Sequence, residues 1–270
     1  MTTLNLAKNK INNSSVSLFN PLKSDKSDCP WLIYLPGMDG SGKLLHTQIP
    51  DLAPYCNLRC LSIDREDLSN WKQLATATIN CLQAELTKDR LKRVYLCGES
   101  FGGCLAMSVA INAPQLVAGM VLINPASSFM QQPILSWGIN LTRWMPSWIH
   151  SNSALGLLPF LAELSRIKKS DRRFLLNAMK MLSQEVVSWR LSMLRDFFVT
   201  ASQCQQFQQP TLIIASGSDR LLPSVGEASR LVNLFPNSEI EILPKSGHAC
   251  LLESEVNLAH ILSKHQILVP

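Results

Sequence analysis

The chain has 270 residues, 46% of them hydrophobic and 17% charged, which suits one large α/β domain with an insertion. It contains no run of eighteen apolar residues, so no transmembrane helix is predicted, and its polar N-terminus lacks the apolar core of a secretory signal. The eight cysteines lack paired metal-ligand spacing. We therefore expect reduced thiols, no metal or organic cofactor, no nucleic-acid partner, and a cytoplasmic protein, with peripheral contact to a membrane surface as an alternative.

Short apolar runs bounded by turn residues predict buried strands along the chain. The first, at 16–19, is a candidate edge strand, and six more follow at 31–35, 58–63, 94–97, 120–123, 211–215 and 239–243. Helical patterns lie between or after most of them, at 68–86, 100–112, 224–234 and 255–263. Strands alternating with helices predict an α/β fold whose sheet is mainly parallel and covered by helices on both faces.

The alternation breaks once, between the strands near 120–123 and 211–215, where helical patterns at 171–182 and 185–199 stand without a convincing strand. We predict a helical cap over residues 127–209, inserted into a core formed by residues 1–126 and 210–270. Its apolar first part holds Trp137, Trp144 and Trp148, whose spacing suits one helical face although Pro146 interrupts the helix before the last of them. These rings either pack the cap onto the sheet or bind a lipophilic substrate at its entrance, and we predict the second role.

The positive charge is concentrated in the same segment. The net charge is +5, and the nine basic residues between positions 131 and 209 outnumber the four acidic ones, whereas the rest of the chain carries 16 of each sign. A solvated basic face explains this excess, and attraction to an anionic membrane surface or to acidic headgroups is the alternative. The basic residues are Arg143, Arg166, Lys168, Lys169, Arg172, Arg173, Lys180, Arg190 and Arg195.

A strand, a sharp turn and a helix meet at Gly98-Glu99-Ser100-Phe101-Gly102. A Gly-x-Ser-x-Gly sequence in this setting exposes the serine hydroxyl at the N-terminus of a helix, and the glycines let the strand and the helix pass close together. Ser100 is therefore the predicted nucleophile.

Two further residues supply the base and the acid that such a serine requires. Asp219 follows the strand at 211–215 and His248 follows the strand at 239–243, so both lie at the sheet edge where Ser100 lies. We predict His248 as the base and Asp219 as the acid that orients it. The remaining histidines follow no strand end, and the two acids after His248, Glu253 and Glu255, are interpreted as charges at a helix N-terminus.

An acyl-transfer site also needs donors for the oxyanion of its tetrahedral intermediate. The backbone N–H of Phe101, at the start of the helix, is one predicted donor. The other is the N–H of Met38, in the glycine-rich loop at 36–42 after an early strand. A phosphate-binding loop is a poor alternative, because this loop lacks the Gly-Lys-Ser/Thr ending and no helix follows it at once.

Five blocks in order carry a resemblance to a known family, at residues 36–42, 98–106, 124–129, 215–224 and 246–248. The chain resembles the α/β-hydrolase superfamily and, more narrowly, the hydrolase half of plant and cyanobacterial phytyl ester synthases. The resemblance implies an acyl-serine enzyme that acts on a lipophilic ester or thioester, with water or an alcohol such as phytol or a diacylglycerol as acceptor. Two alternatives stay open: a triad-based lyase or dephytylase acting on a quinone or chlorophyll-type substrate, and an inactive scaffold that binds lipid.

Overall fold

The computed structural model describes residues 15–22, 25–26, 29–88, 93–131, 156 and 158–268. Its strands are β1 Val16–Phe19, β2 Trp31–Leu35, β3 Asn57–Ile63, β4 Val94–Glu99, β5 Val117–Ile123, β6 Thr211–Ser216 and β7 Ser238–Leu243. These seven strands form one sheet in the order β1-β3-β2-β4-β5-β6-β7. β1 runs antiparallel to β3 and every other neighbouring pair is parallel, which confirms the predicted mainly parallel sheet.

Helices cover both faces of the sheet, as the sequence predicts. These helices are α1 Ile49–Leu52, α2 Trp71–Lys88, α3 Phe101–Asn112, α7 Ser224–Val232 and α8 Leu258–Lys264. One apolar cluster joins one sheet face to α2, α3 and α7, and a second joins the other face to α1 and α8. Because both faces are covered, the central strands are almost continuously apolar rather than alternating.

The described part of the segment between β5 and β6 contains helices joined by short loops. It contains α4 Lys169–Lys180, α5 Gln184–Arg195 and α6 Ala201–Gln206. Met193 and Leu194 of α5, together with the following Phe197, are buried in the same cluster as α2 and α3. Part of the segment predicted as a cap therefore packs directly on the core. No helix within the described ranges is long and apolar enough to cross a bilayer.

Several boundaries differ from the sequence prediction, and two of these differences have a clear local reason. α8 begins at Leu258 rather than near 255, because the side chain of Asn257 accepts a hydrogen bond from the N–H of His260 and caps the helix there. β5 begins at Val117, three residues before the apolar run used to predict it, since Ala118 and Gly119 weaken the apolar pattern. All eight cysteines are free, and most of them are buried.

His265, at the C-terminal end of α8, hydrogen-bonds to two carboxylates of the edge strand β7. The ring of His265 lies 2.6 Å from Oε2 of Glu239 through Nδ1 and 2.9 Å from Oε2 of Glu241 through Nε2. Burial alone would lower the pKa of His265, but the hydrogen bonds to Glu241 and Glu239 outweigh it, and the pKa is raised.

Candidate active site

Ser100 lies in a sharp turn between β4 and α3. Its backbone has φ 53° and ψ −113°, a region that non-glycine residues rarely adopt and that costs about 1–3 kcal/mol. The turn is held from both sides, since the Ser100 N–H donates to the Ile123 carbonyl at 2.9 Å and its carbonyl accepts from the Ala126 N–H at 3.1 Å. Gly102 lets α3 approach β2, because a Cβ there would lie 2.0 Å from the Leu35 carbonyl oxygen. This packing keeps the serine in its strained position.

His248 lies between the predicted nucleophile and the predicted acid. Its Nε2 is 2.9 Å from Oγ of Ser100, and its Nδ1 is 2.7 Å from Oδ2 of Asp219. The histidine is 4% exposed. Burial alone would lower the pKa of His248, but the Asp219 carboxylate, with a smaller contribution from Glu99, raises it. A neutral imidazole in this arrangement can accept the Ser100 proton on Nε2 while Nδ1–H stays bonded to the carboxylate.

The Asp219 carboxylate is kept ionised by several donors. The backbone N–H groups of Leu221 and Leu222 donate to its Oδ1 at 2.8 and 3.0 Å, and the Ser224 hydroxyl donates to its Oδ2. Burial would raise the pKa of Asp219, but the charge and hydrogen bond of His248, with these donors, lower it instead. A carboxylate fixed on both oxygens holds the imidazole in one orientation.

The glycine-rich loop after β2 lies beside the serine. A Cβ placed on Gly37 would be 3.8 Å from the Ser100 Cβ, and a turn closed by the Gly40 N–H and the Gly37 carbonyl at 3.0 Å shapes the loop. Within the described residues, neither the Met38 N–H nor the Phe101 N–H donates to a protein acceptor. Both amides are thus available for a ligand oxygen, as an oxyanion site requires.

Glu99, the residue before the serine, is buried and paired with a tyrosine. The Tyr34 hydroxyl on β2 donates to its Oε2. Burial raises the pKa of the Glu99 carboxyl and the pKa of the Tyr34 phenol. This pair lies directly beneath the turn that carries Ser100, and the sequence reasoning assigned it no role.

Asn124 is a second residue that the sequence analysis did not single out. It follows β5 with φ 43°, and its buried side chain joins three strand ends. Its Nδ2 donates to the His248 carbonyl at 2.8 Å and to Oγ of Ser216 at 2.9 Å, and its Oδ1 accepts from the Ser216 N–H at 2.8 Å. Its position directly after a strand, at the sheet edge where the predicted catalytic residues lie, is the sequence feature that could have identified it.

The interpretation of Glu253 as a charge at a helix N-terminus is wrong. Glu253 is buried and precedes α8 by five residues. Its carboxylate accepts from the Gly247 N–H at 2.7 Å and from Nε of Arg166 at 2.5 Å. It therefore supports the loop of His248 and ties it to the segment between β5 and β6. The same interpretation is wrong for Glu255, which also precedes α8; this residue is exposed and pairs with Arg166 at 3.0 Å.

The structure brings together the predicted residues Ser100, His248, Asp219, Met38 and Phe101 at one edge of the sheet. Trp137, Trp144 and Trp148, predicted to bind substrate, lie outside the described residues. Their role stays a prediction.

Comparison with known proteins identifies the family of this chain. Residues 30–255 match the family described as the alpha/beta hydrolase fold, so the chain belongs to that family. It is similar to "Phytyl ester synthase 1, chloroplastic" of Arabidopsis thaliana, with 30% identity over 90% of this chain and 38% of the relative. The chain thus spans about two fifths of that protein's length. It is also similar to "sn-1-specific diacylglycerol lipase ABHD11" of Danio rerio, with 23% identity over 87% of this chain and 78% of the relative.

Solved structures show the same fold. An esterase from Exiguobacterium antarcticum superposes with a TM-score of 0.75 at 17% identity, covering 93% of this chain and 94% of the esterase. MenH from S. aureus superposes with a TM-score of 0.72 at 18% identity, covering 93% of this chain and 99% of that protein. The chain is an alpha/beta hydrolase, and the curated proteins that it is similar to include one named an esterase and one named a lipase.

Proposed function

We propose that the protein is a serine esterase or acyltransferase that acts on a lipophilic ester or thioester through an acyl-Ser100 intermediate. The observation that carries this proposal is the hydrogen-bonded series from Asp219 through His248 to Ser100, with spacings of 2.7 and 2.9 Å. Among the residues that the structure describes, the N–H groups of Met38 and Phe101 donate to no protein acceptor, which supports the proposal further.

In the proposed reaction, the Ser100 oxygen attacks the acyl carbonyl carbon while its proton passes to Nε2 of His248. The tetrahedral oxyanion accepts hydrogen bonds from the Met38 and Phe101 amides. The leaving alcohol or thiol takes the proton from His248 as its bond to the acyl carbon breaks. An acceptor hydroxyl, from water or a lipid alcohol, then gives its proton to His248 and attacks the acyl carbon. The bond from that carbon to Oγ of Ser100 breaks, and Oγ takes the proton back from His248.

The substrate class rests on two kinds of support. Two similar proteins are named a phytyl ester synthase and a diacylglycerol lipase, and both names imply lipophilic substrates. In addition, Phe198 and Phe160, in the segment between β5 and β6, are 80% and 52% exposed. Such aromatic side chains in a basic segment favour contact with a lipid surface or substrate.

The contact of Phe198 with lipid can be tested by cosedimentation with anionic vesicles. Phe198→Ser should bind the vesicles more weakly than wild type, and equal binding of both proteins refutes that part of the proposal.

The test is product analysis on a p-nitrophenyl ester series of increasing acyl length, with and without phytol or diacylglycerol. Ser100→Ala is compared with wild type and with Ser263→Ala, a matched control at an exposed serine on α8. New lipid esters that depend on Ser100 indicate acyl transfer, and free fatty acid alone indicates hydrolysis. Turnover that survives in Ser100→Ala, or no turnover of any ester by wild type, contradicts the proposal and favours the lyase or lipid-binding alternatives.

A further inference from the structure

Arg190 is a buried cation with an unusual set of partners. It lies on α5, between β5 and β6, and is 1% exposed. A buried guanidinium is normally paired with a carboxylate, because an unpaired buried charge is costly. None of the ion pairs within 4 Å among the described residues involves Arg190, and the carboxylates of Asp67, Asp39 and Asp64 favour its charge from a longer distance. Its Nη1 donates to the Met38 carbonyl at 2.7 Å and its Nη2 to the Asp64 carbonyl at 3.1 Å.

These contacts place the guanidinium beside the two residues whose backbone N–H groups are the predicted oxyanion donors. Besides its bond to Met38, the Cζ atom of Arg190 lies 5.9 Å from the ring centroid of Phe101. It also fills the space beside Gly40, where a Cβ would lie 2.6 Å from Nη1. Arg190 is therefore the one described side chain that both hydrogen-bonds to Met38 and contacts the Phe101 ring.

Helix α5 is anchored so that Arg190 stays in place. The indole Nε1 of Trp71 on α2 donates to the Met193 carbonyl at 2.6 Å, and that of Trp189 donates to the Ser69 carbonyl at 2.9 Å. The Trp71 ring also stacks on the Phe101 ring, with centroids 4.7 Å apart. The loop after β2, by contrast, holds three glycines and has much conformational freedom to lose. A charge-assisted bond to the Met38 carbonyl restricts that freedom at the residue whose amide must point at the substrate.

We propose, building on the function proposed above, that Arg190 is a positioning residue that holds the Met38 amide in its oxyanion-binding orientation. In this role the segment between β5 and β6 contributes to transition-state stabilisation and not only to substrate access. The bond acts on catalysis through Met38, so its loss slows the chemical step while substrate binding changes little.

The test compares an ester with its thionoester, p-nitrophenyl butyrate and p-nitrophenyl thionobutyrate. Sulfur is a weak hydrogen-bond acceptor, so the thiono intermediate gains less from oxyanion donors than the oxygen intermediate does. Arg190→Met is measured beside Arg190→Lys, which keeps a charged donor, and beside Arg195→Met, a control on the same helix whose arginine is exposed and pairs with Asp196. Rates are expressed per serine titrated with a fluorophosphonate, so that only folded sites count.

We expect Arg190→Met to lower kcat for the ester about 10- to 100-fold, less than the loss of a whole donor, with KM nearly unchanged. The decrease in kcat that Arg190→Met causes on the thionoester should be several-fold smaller than its decrease on the ester. Arg190→Lys should recover part of the rate, and Arg195→Met should match wild type. If Arg190→Met yields no titratable sites, Arg190→Lys gives the same comparison through its ester-to-thionoester ratio. Equal decreases in kcat on the two substrates, or no decrease, overturn the positioning role of Arg190 but leave the proposed function standing. Activity that persists in Ser100→Ala overturns the proposed function as well.

Discussion

Replacing Gly102 by alanine tests the close approach of α3 to β2 on which the serine turn depends. The new Cβ would lie 2.0 Å from the Leu35 carbonyl oxygen and 2.5 Å from the Pro36 carbonyl oxygen. Both atoms belong to the backbone, so no side-chain rotation relieves the overlap. The start of α3 must retreat by roughly 1 Å to restore a normal contact, and Ser100 moves with it.

The expected effects follow from that displacement. Overpacking of this kind lowers the free energy of unfolding by about 1–3 kcal/mol. A shift of about 1 Å in a reacting group costs about 100-fold in rate. Gly226→Ala is the matched control, because Gly226 lies within α7 with nothing within 4 Å of the added Cβ. It should stabilise the protein by about 0.5–1 kcal/mol through helix propensity and leave activity unchanged.

The assay is urea denaturation of both variants, together with the second-order rate of fluorophosphonate labelling. The reasoning is refuted if Gly102→Ala unfolds within about 0.5 kcal/mol of wild type and labels at a similar rate, a difference within the range of ordinary surface substitutions. A loss of equal size in Gly226→Ala would show that the effect is not specific to the α3–β2 contact.

Three other predictions concern ionisation and hydrogen bonding. The ester kcat/KM should fall as pH drops through the pKa of His248, since only the neutral imidazole accepts a proton. Because the Asp219 carboxylate raises that pKa, Asp219→Asn should move the fall to lower pH. A profile that is flat from about pH 5 to 8 would contradict the role of His248 as the base. Asn124→Asp removes the two N–H donations to Ser216 and to the His248 carbonyl, so urea denaturation should show a loss of about 1–3 kcal/mol, and an unchanged midpoint refutes this. The raised pKa of His265 means that its stabilisation is complete below about pH 6.5, its unfolded pKa, and is lost as pH rises through the folded value. The stability difference between wild type and His265→Gln should therefore be larger at pH 5.5 than at pH 9, and a constant difference contradicts the assignment.

The strands could be predicted because their residues are buried on both faces, which leaves continuous apolar runs in the sequence. The meeting of Ser100, Asp219 and His248 could be anticipated because residues that follow parallel strands gather at one edge of the sheet.

Arg190 and Glu253 show what such patterns omit. In the sequence, Arg190 is one of nine basic residues in a segment rich in positive charge, and nothing local distinguishes it from Arg195, five residues later on the same helix. Only the packing of α5 against Trp71 and Phe101 buries the first and leaves the second exposed. Glu253 was likewise assigned to a helix start, because its contact with Gly247 depends on a turn that periodicity does not encode.

A covalent acyl group on Ser100 during the reaction is the step on which the proposed function depends. It can be detected by mass spectrometry of the protein after brief acid quenching of a reaction with a p-nitrophenyl ester, followed by peptide mapping of any adduct. We expect a mass increase equal to one acyl group, located on the peptide that contains Ser100 and absent from Ser100→Ala. In His248→Ala the adduct should accumulate far more slowly than in wild type. An adduct at another residue, or one that forms equally in Ser100→Ala, would show that Ser100 is not the nucleophile.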